Sequence, residues 1–349
     1  MCLVMALCFT ACQNGGLDRK TGSLRISAFA YEGQVVSRAA DGYTDFVNTY
    51  GATPSNPVVM SLWAVSTDGT PFENTASYNG SVWNSYCRLE PGRYDFYSYL
   101  PTSIKADDGV GVTLAPTSSP ATLTFSNVPA VCGKDLLVSA GIPSGDNATT
   151  DNPYDQQISD SEGQTVTFRM EHVLAKLSLS FSNPTGKAFT DMRKIVVKEV
   201  QVLSAKSDSK HNVTCTMNKT GSITYNWVSA DLVTPGHFAM KNDTEFEIAS
   251  GKKVNGYLVE AEATAPFGAC YLVPFTGKTI KIRAIYDVYA HDGSLIRADE
   301  ISVNTNLTVT NTTTIDAGKE YKVNVKIIPD YLYVLADIDA GTSLEIKTE

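Results

Sequence analysis

The segment Thr165-Val166-Thr167-Phe168-Arg169-Met170-Glu171-His172-Val173-Leu174-Ala175-Lys176-Leu177-Ser178-Leu179-Ser180-Phe181 decides the fold class. Thr165 to Met170 and Leu174 to Phe181 are short runs of strand-forming residues, too short for typical helices. Ser182-Asn183-Pro184-Thr185-Gly186 follows and has the composition of a turn or linker. The segment therefore predicts two consecutive strands that end at a boundary near residue 183.

Runs of the same kind recur along the chain, separated by Gly, Pro, Asn and Asp, while helical periodicity is almost absent. This pattern is typical of all-β sandwich folds. An Asp292-Gly293 pair between two such runs predicts a hairpin. The other predicted strands are Leu24 to Ala30, Val58 to Val65, Tyr94 to Leu100, Ala121 to Phe125, Ile195 to Leu203, Gly256 to Glu262, Thr279 to Val288 and Tyr321 to Ile328.

Length and composition set the domain organisation. A chain of 349 residues with 43% hydrophobic and 19% charged residues is globular and long enough for two domains. We predict an N-terminal β-sandwich over residues 24–183 and a C-terminal β-sandwich over residues 184–349. The formal net charge of −9 and the absence of a basic patch argue against nucleic acid as a partner.

The N-terminus has the pattern of an export signal. Met1 to Ala11 is uncharged and mostly apolar, yet too short to span a membrane, so we predict a signal peptide over residues 1–11. Phe9-Thr10-Ala11-Cys12 resembles a bacterial lipobox, although leucine is usual where Phe9 stands. In this interpretation Cys12 carries the lipid, palmitate included, and residues 12–23 form a tether to the membrane. The alternative is an ordinary secretory signal with a chance cysteine.

Candidate catalytic and metal-binding residues do not form a recognisable site. The four histidines have no metal-ligand spacing, and His172 is expected to be a packed or edge histidine. The neighbouring carboxylates Asp107 and Asp108 are expected to be solvated, and Asp337 and Asp339 match no calcium-binding pattern. Phosphate-binding and nucleophile motifs are missing from the sequence. We therefore predict no catalytic residue, no metal, no cofactor and no enzyme activity.

Four cysteines follow the lipobox, and none forms a C-x-x-C pair. Export permits disulfides, and three pairings are open, but buried free thiols are equally compatible with the sequence. These cysteines are Cys87, Cys132, Cys215 and Cys270.

An aromatic strand offers two faces. Alternation places Tyr94 and Phe96 on one face and Tyr97 and Tyr99 on the other. One face is expected to be core. The other is either covered by a second layer or exposed to a sugar or a partner protein.

Four segments in order resemble the fimbrillin family, the type V pilins, and in particular their fimbrillin-like (Mfa-like) lipoproteins. The most specific is Phe168 to Leu177, which resembles the family pattern F-x-x-x-H-x-x-[AS]-[KR]-[LIV]. The others are a Pro-Gly turn before an aromatic strand, Leu89 to Pro101, then Asp135 to Ala140, and Ala317 to Tyr321. With the lipobox the resemblance spans nearly the whole chain.

The resemblance implies two tandem transthyretin-like β-sandwich domains and a structural or adhesive role in a fimbrium. It implies export as a lipoprotein, a lipid-anchored and surface-exposed position on the cell outer membrane, and other fimbrial subunits as partners. In polymerising members an arginine-specific protease removes the first strand, and a strand of the next subunit fills the groove. Stalk subunits need a groove and a donor strand, tip subunits can lack the donor, and anchors escape cleavage.

These implications fall on particular residues. The candidate removable strand contains Leu24, Ile26, Ala28 and Ala30, and the candidate cleavage site lies between Arg38 and Ala39. A plain loop arginine is the alternative for Arg38. The tail from residue 331 to the end is either a donor strand or the last strand of its own domain; its apolar positions are Leu332, Val334, Ala336, Leu344 and Ile346.

A second function is compatible with the sequence. A glycan-binding outer-membrane surface lipoprotein would use exposed aromatic side chains such as Trp63, Trp83 or Trp227 as sugar platforms. A host or bacterial surface ligand would then be the partner.

Overall fold

The computed structural model describes residues 25–30, 52–66, 68–85, 87–116, 120–143, 156–158, 165–183, 193–203, 209–217, 223–232, 238–263, 265–276, 279–302, 304–308, 314–328, 333–338 and 342–344. Nearly all of the regular structure in this part of the chain is β-strand, which confirms the predicted all-β class. The one described helix, α1 (Ile104–Asp108), has a single turn and ends at Gly109 with a positive φ of 67°. No helix in the described ranges is long and apolar enough to cross a membrane.

The strands are given in chain order. Up to residue 183 they are β1 (Arg25–Ala30), β2 (Val58–Ser66), β3 (Pro71–Tyr78), β4 (Trp83–Ser85), β5 (Gly92–Leu100), β6 (Gly111–Ala115), β7 (Ala121–Pro129), β8 (Val131–Cys132), β9 (Leu137–Pro143), β10 (Gln156–Ile158), β11 (Thr165–His172) and β12 (Ala175–Ser182). After it come β13 (Arg193–Val202), β14 (Ser209–Met217), β15 (Ile223–Leu232), β16 (Phe238–Lys241), β17 (Glu245–Ala249), β18 (Lys252–Asn255), β19 (Tyr257–Leu258), β20 (Gly268–Leu272), β21 (Phe275–Thr276), β22 (Thr279–Ala290), β23 (Leu295–Ile301), β24 (Thr305–Thr308), β25 (Thr314–Ile315), β26 (Glu320–Ile328), β27 (Tyr333–Ile338) and β28 (Thr342–Leu344).

Four sheets make up most of the described structure. Sheet A has the order β1-β11-β9-β5-β2-β3-β4, with β10 also paired to β5. Sheet B has the order β15-β14-β7-β6, and sheet C the order β28-β27-β26-β12-β20-β8. Sheet D has the order β16-β13-β22-β23, with β19 on β13 and β24 on β22. Two short two-stranded sheets, β17-β18 and β21-β25, complete the set.

The three largest hydrophobic cores in the described residues lie against these sheets, and a fourth, smaller cluster contains Val196, Ile248 and Tyr289. The first core covers one face of sheet A and includes Leu62, Phe96, Val166, Phe168 and Met170. The second core lies between the other face of sheet A and sheet B and includes Trp63, Tyr97, Tyr99, Phe125 and Val213. The third core lies between sheets C and D and includes Leu177, Phe181, Val197, Ile282 and Val323. Sheet-on-sheet packing of this kind defines a β-sandwich.

Strand pairing crosses the predicted boundary at residue 183. β14 from the second half pairs with β7 from the first half, so the hairpin β14-β15 completes sheet B. β12, which precedes residue 183, pairs in parallel with β26 and antiparallel with β20. The division into residues 24–183 and 184–349 stays a prediction, and sheets B and C each combine strands from both sides of it.

Candidate functional site

β1, which contains most of the candidate removable strand, lies at one end of sheet A. It pairs in parallel with β11 over six consecutive residues, from Arg25 opposite Thr165 to Ala30 opposite Met170. The register sets Ile26 opposite Val166 and Ala28 opposite Phe168. Leu24 lies outside the described residues. An end strand such as β1 is joined to its sheet along one edge, so it can leave without breaking any other strand pair of the sheet.

The strand next to β1 carries part of the first core. Val166, Phe168 and Met170 of β11 are each fully buried. They pack with Met60 and Leu62 of β2 and with other members of the first core. The removal of β1 would therefore expose the backbone edge of a strand whose side chains belong to a hydrophobic core.

Sheet A is strongly curled. β1 and β4 are at opposite ends of its strand order, yet some of their Cα atoms come within 8 Å of each other. The right-handed twist of neighbouring strands accumulates across a sheet of this width and brings the two ends together. β1 therefore occupies the space between β11 and β4, and its departure would leave a groove with two free edges.

The C-terminal strands pair within the chain. β27 is antiparallel to β26, with Val334 opposite Ile327 and Ala336 opposite Val325. β28 pairs with β27, and this pairing sets Leu344 opposite Ala336. Leu332 and Ile346 lie outside the described residues. In this form of the molecule β27 and β28 are the last strands of sheet C.

The predicted modification sites fall outside the described part of the chain. This applies to the lipidation site Cys12 and to the cleavage site between Arg38 and Ala39. In the sequence, Arg38 lies between β1 and β2. The two sites stay predictions.

A buried polar pair joins two of the sequence motifs. Asp135 and His172 have side chains that are 0% and 4% exposed, and Oδ2 of Asp135 lies 2.5 Å from Nδ1 of His172. The other carboxylate oxygen accepts a hydrogen bond from the backbone N–H of Leu136 at 2.8 Å. The prediction of a packed histidine is confirmed, and its carboxylate partner is a feature that the sequence analysis missed.

The segment Ala317 to Tyr321, another of the family-like motifs, contacts the chain beside this pair. The backbone N–H of Gly318 donates to the carbonyl of Leu174 at 2.9 Å, and the N–H of Lys176 donates to the carbonyl of Lys319 at 2.9 Å. Between Asp135 and these contacts, the N–H of Val173 donates to the carbonyl of Leu136 at 2.8 Å. We call this group of contacts the joint. It connects the end of β11 in sheet A to the start of β12 in sheet C.

The aromatic strand β5 is covered on both faces. Tyr97 and Tyr99 are 3% and 1% exposed and belong to the second core. The Tyr99 ring meets the ring of Phe125 from sheet B edge-on at 5.5 Å between centroids. Phe96 belongs to the first core. The open question about the second face is thus answered by a covering sheet.

The tryptophans do not form an exposed sugar platform. Trp63 is 6% exposed and stacks at a tilt on Tyr99, 5.5 Å away. Trp83 and Trp227 are half-buried and pack against the first and second cores respectively. The aromatic version of the glycan-binding alternative therefore has no support in the described structure.

The candidate carboxylates have structural surroundings. Asp107 forms an ion pair with Lys134, whose ammonium group also donates to the hydroxyl of Ser103 at 2.9 Å. Burial raises the pKa of the neighbouring Asp108, and the nearby Lys134 opposes that rise. Asp337 lies in β27, and Asp339 is outside the described residues. In the described ranges, His, Cys, Asp and Glu side chains do not gather in threes in a way that could hold a metal.

The four cysteines are buried free thiols. They are distributed over the three cores, with Cys87 in the first, Cys132 and Cys215 in the second, and Cys270 in the third. Burial raises the pKa of Cys87 and of Cys270 to about 12. Of the alternatives left open by the sequence, the free-thiol one describes this structure.

Comparison with known proteins gives a likeness of fold. Neither a protein-family model nor a curated protein sequence matches the chain. Among solved structures, a fimbrial protein from Bacteroides vulgatus aligns with a TM-score of 0.52 at 12% identity, over 93% of this chain and 99% of that one. A candidate cell adhesion protein from Bacteroides uniformis aligns with a TM-score of 0.42 at 12% identity, over 91% of this chain and 99% of that one. The fimbrial anchor protein Mfa2 from Porphyromonas gingivalis aligns with a TM-score of 0.29 at 9% identity, over 93% and 98%. The first of these alignments shows that the chain has a fimbrillin-like fold, as the sequence motifs predict.

Proposed function

We propose that this chain is a structural or adhesive subunit of a cell-surface fimbrium, exported as a lipoprotein through Cys12 to the outer membrane. We propose further that it assembles by strand exchange after cleavage between Arg38 and Ala39. The role requires no catalytic residue and no cofactor. The fold shared with a fimbrial protein from Bacteroides vulgatus supports the proposal.

The position of β1 is the observation that carries the proposal. β1 ends sheet A, pairs with β11 alone in the strand order, and precedes the candidate cleavage site in the sequence. Cleavage after Arg38 would leave β1 attached only through non-covalent contacts. The fold therefore offers a strand that proteolysis can release without cutting a described strand.

The removal of β1 would leave the edge of β11 with unpaired backbone groups. The loss of β1 would leave backbone N–H and C=O groups of β11 without partners, and each net hydrogen bond contributes about 1 kcal/mol. The freed edge would belong to a strand whose side chains Val166, Phe168 and Met170 are part of the first core. A strand from a second copy would restore these hydrogen bonds by β-augmentation.

The donor strand is the less direct part of the proposal. β27 is paired with β26 inside the chain, so it must exchange that pairing for one with the next subunit. A subunit whose β1 is removed by cleavage, but whose β27 stays paired with β26, would act at the tip. A subunit that retains β1 and keeps β27 paired would act as the anchor.

The test uses the full chain and an arginine-specific protease. Intact mass and N-terminal sequencing report the cleavage site, and light scattering with electron microscopy reports assembly. We expect a new N-terminus at Ala39, loss of the β1 segment and formation of oligomers that grow with time. A synthetic peptide with the β1 sequence Arg25–Ala30 should slow that growth, because it competes for the same edge.

Two variants give matched controls. Arg38→Gln should block both cleavage and assembly, whereas Arg88→Gln, which removes an exposed arginine outside the strands, should change neither. A chain that is cut after Arg38, releases the first strand and stays a stable monomer at high concentration would refute assembly by strand exchange.

A further inference from the structure

The outer face of sheet B is an array of uncharged polar side chains. On β15 it presents Thr224 and Asn226, on β14 Thr214 and Thr216, on β7 Thr122 and Thr124, and on β6 Thr113. The opposite face of the same strands carries the second core, with Val213, Leu123 and Phe125. We call these outward positions the threonine face.

The strand register arranges the threonine face in rows. One row runs Thr224, Thr216, Thr122 and Ala115, and the next runs Asn226, Thr214, Thr124 and Thr113. At the centre, the hydroxyl oxygens of Thr124 and Thr214 lie 3.3 Å apart, within hydrogen-bond distance. Rows in a sheet are about 6.8 Å apart along the strands, and neighbouring strands are about 4.8 Å apart. The array thus presents hydroxyl and methyl groups at regular intervals.

The face has no charge over these rows, although the chain has 28 Lys and Arg and 37 Asp and Glu residues. Beyond these rows Val228 pairs with Asn212, and Ser126 pairs with Gly111, again without an ionisable group. The register of β14 against β7 is irregular there, and Lys210 lies further along β14. Exposed strands elsewhere in the molecule do carry charges. β23, for example, contains Arg297, Asp299 and Glu300. Strand propensity explains the threonines, but it does not explain why lysine and glutamate are missing from these rows.

These properties fit a neutral, hydroxyl-rich ligand. A threonine hydroxyl both donates and accepts hydrogen bonds, as a sugar hydroxyl does, and its methyl group can pack on the apolar side of a sugar ring. Threonine is stiff at χ1 and loses little conformational entropy when it is held by a ligand, in contrast to lysine or glutamate. A face without charges also avoids the desolvation penalty that a neutral ligand could not offset.

We infer that the threonine face binds an extended neutral polysaccharide chain. Thr113, Thr224 and Asn226 are exposed on the face, and a single sugar would contact only a few of its side chains. A polymer that crosses several rows would add those contacts together. The inference does not depend on strand exchange, because sheet B is separate from the β1 edge of sheet A.

The experiment measures depletion of the full chain from solution by insoluble neutral polysaccharides, namely cellulose, chitin, starch and a linear β-1,3-glucan. Gelled alginate, an acidic polysaccharide, serves for comparison. We expect retention by at least one neutral polymer, weaker retention by alginate, and no competition by free monosaccharides.

The variant Thr124→Val/Thr214→Val keeps the shape and the strand propensity but removes two central hydroxyls. We expect binding to weaken roughly 25-fold, since each of the two lost neutral hydrogen bonds changes an equilibrium constant by about fivefold. Thr216→Lys places a charge in the array and should weaken binding as well. Because it is a separate substitution, it tests the face even if the double variant fails to fold. Thr75→Val, at an exposed position of β3, should have no effect.

Three results would overturn the inference. They are the absence of retention by any neutral polymer, retention that the variants leave unchanged, and self-association of the chain in sedimentation that Thr216→Lys abolishes. The last result would identify the threonine face as a contact between copies of this chain.

Discussion

Replacement of Asp135 by alanine tests whether the joint stabilises the molecule. The carboxylate is fully buried, accepts the N–H of Leu136 at 2.8 Å and lies 2.5 Å from Nδ1 of His172. Removal of one member of a buried pair leaves the other desolvated, which typically lowers the free energy of unfolding by about 3–5 kcal/mol. We expect a loss of about 4 kcal/mol for Asp135→Ala. For a unit of 150–250 residues this corresponds to a decrease in Tm of roughly 8–16 °C.

The assay is urea unfolding followed by tryptophan fluorescence, together with thermal unfolding. Asp107→Ala is the matched control, because it also breaks a carboxylate pair, with Lys134, but at side chains that are 51% and 39% exposed. It should lower the free energy of unfolding by less than about 1 kcal/mol. A double-mutant cycle with His172→Ala should give a coupling free energy above about 0.5 kcal/mol. If Asp135→Ala were no more destabilising than Asp107→Ala, the reasoning about the joint would be wrong.

Four further predictions concern the backbone, the core and the thiols. Gly256→Ala should lower the free energy of unfolding by about 2 kcal/mol or more in urea melts, because Gly256 has φ of 140° and an added Cβ would lie 2.5 Å from Cγ1 of Val196. Phe168→Ala should lower it by about 3–5 kcal/mol, measured in the same way, since it leaves a cavity in the first core. Cys87 and Cys270 should resist iodoacetamide at pH 8 until the protein unfolds, as mass spectrometry can report, because burial raises the pKa of both thiols to about 12. The free energy of unfolding should also fall as the pH rises from about 9 towards 12, since these thiols ionise more readily in the unfolded chain.

The fold class follows from local pattern, and the strand positions largely do as well. The predicted strand Val58 to Val65 is observed as Val58–Ser66, and the predicted hairpin turn at Asp292-Gly293 is present between β22 and β23. Gly293 has φ of 76°, the conformation for which the Asp-Gly pair is selected. Gly256 to Glu262 was predicted as a strand, but only Tyr257–Leu258 forms one. Local periodicity is informative because it reports the burial of alternate side chains in the strand itself.

The local sequence pattern predicts strands but not which distant strands or side chains pair with each other. The hairpin β14-β15 completes sheet B across about 80 residues of chain, and no local signal specifies β7 as its partner. The same holds for His172, whose burial follows from its strand, whereas its partner Asp135 is 37 residues away. The threonine face has a readable signal in retrospect, since Thr122-Leu123-Thr124 and Thr214-Cys215-Thr216 both alternate hydroxyl and apolar residues.

The two cores on opposite faces of sheet A bear on whether the chain would stay folded if β1 were removed, as the proposal requires. β2 and β5 alternate between them, with Leu62 and Phe96 in the first core and Trp63 and Tyr99 in the second. The release of β1 acts on the first core, through β11, and leaves the contacts of the second core with sheet B in place. The third core lies between other sheets altogether. If the proposal is right, the shortened chain should keep the second and third cores intact and present the free edge of β11, which exchange with a second strand requires.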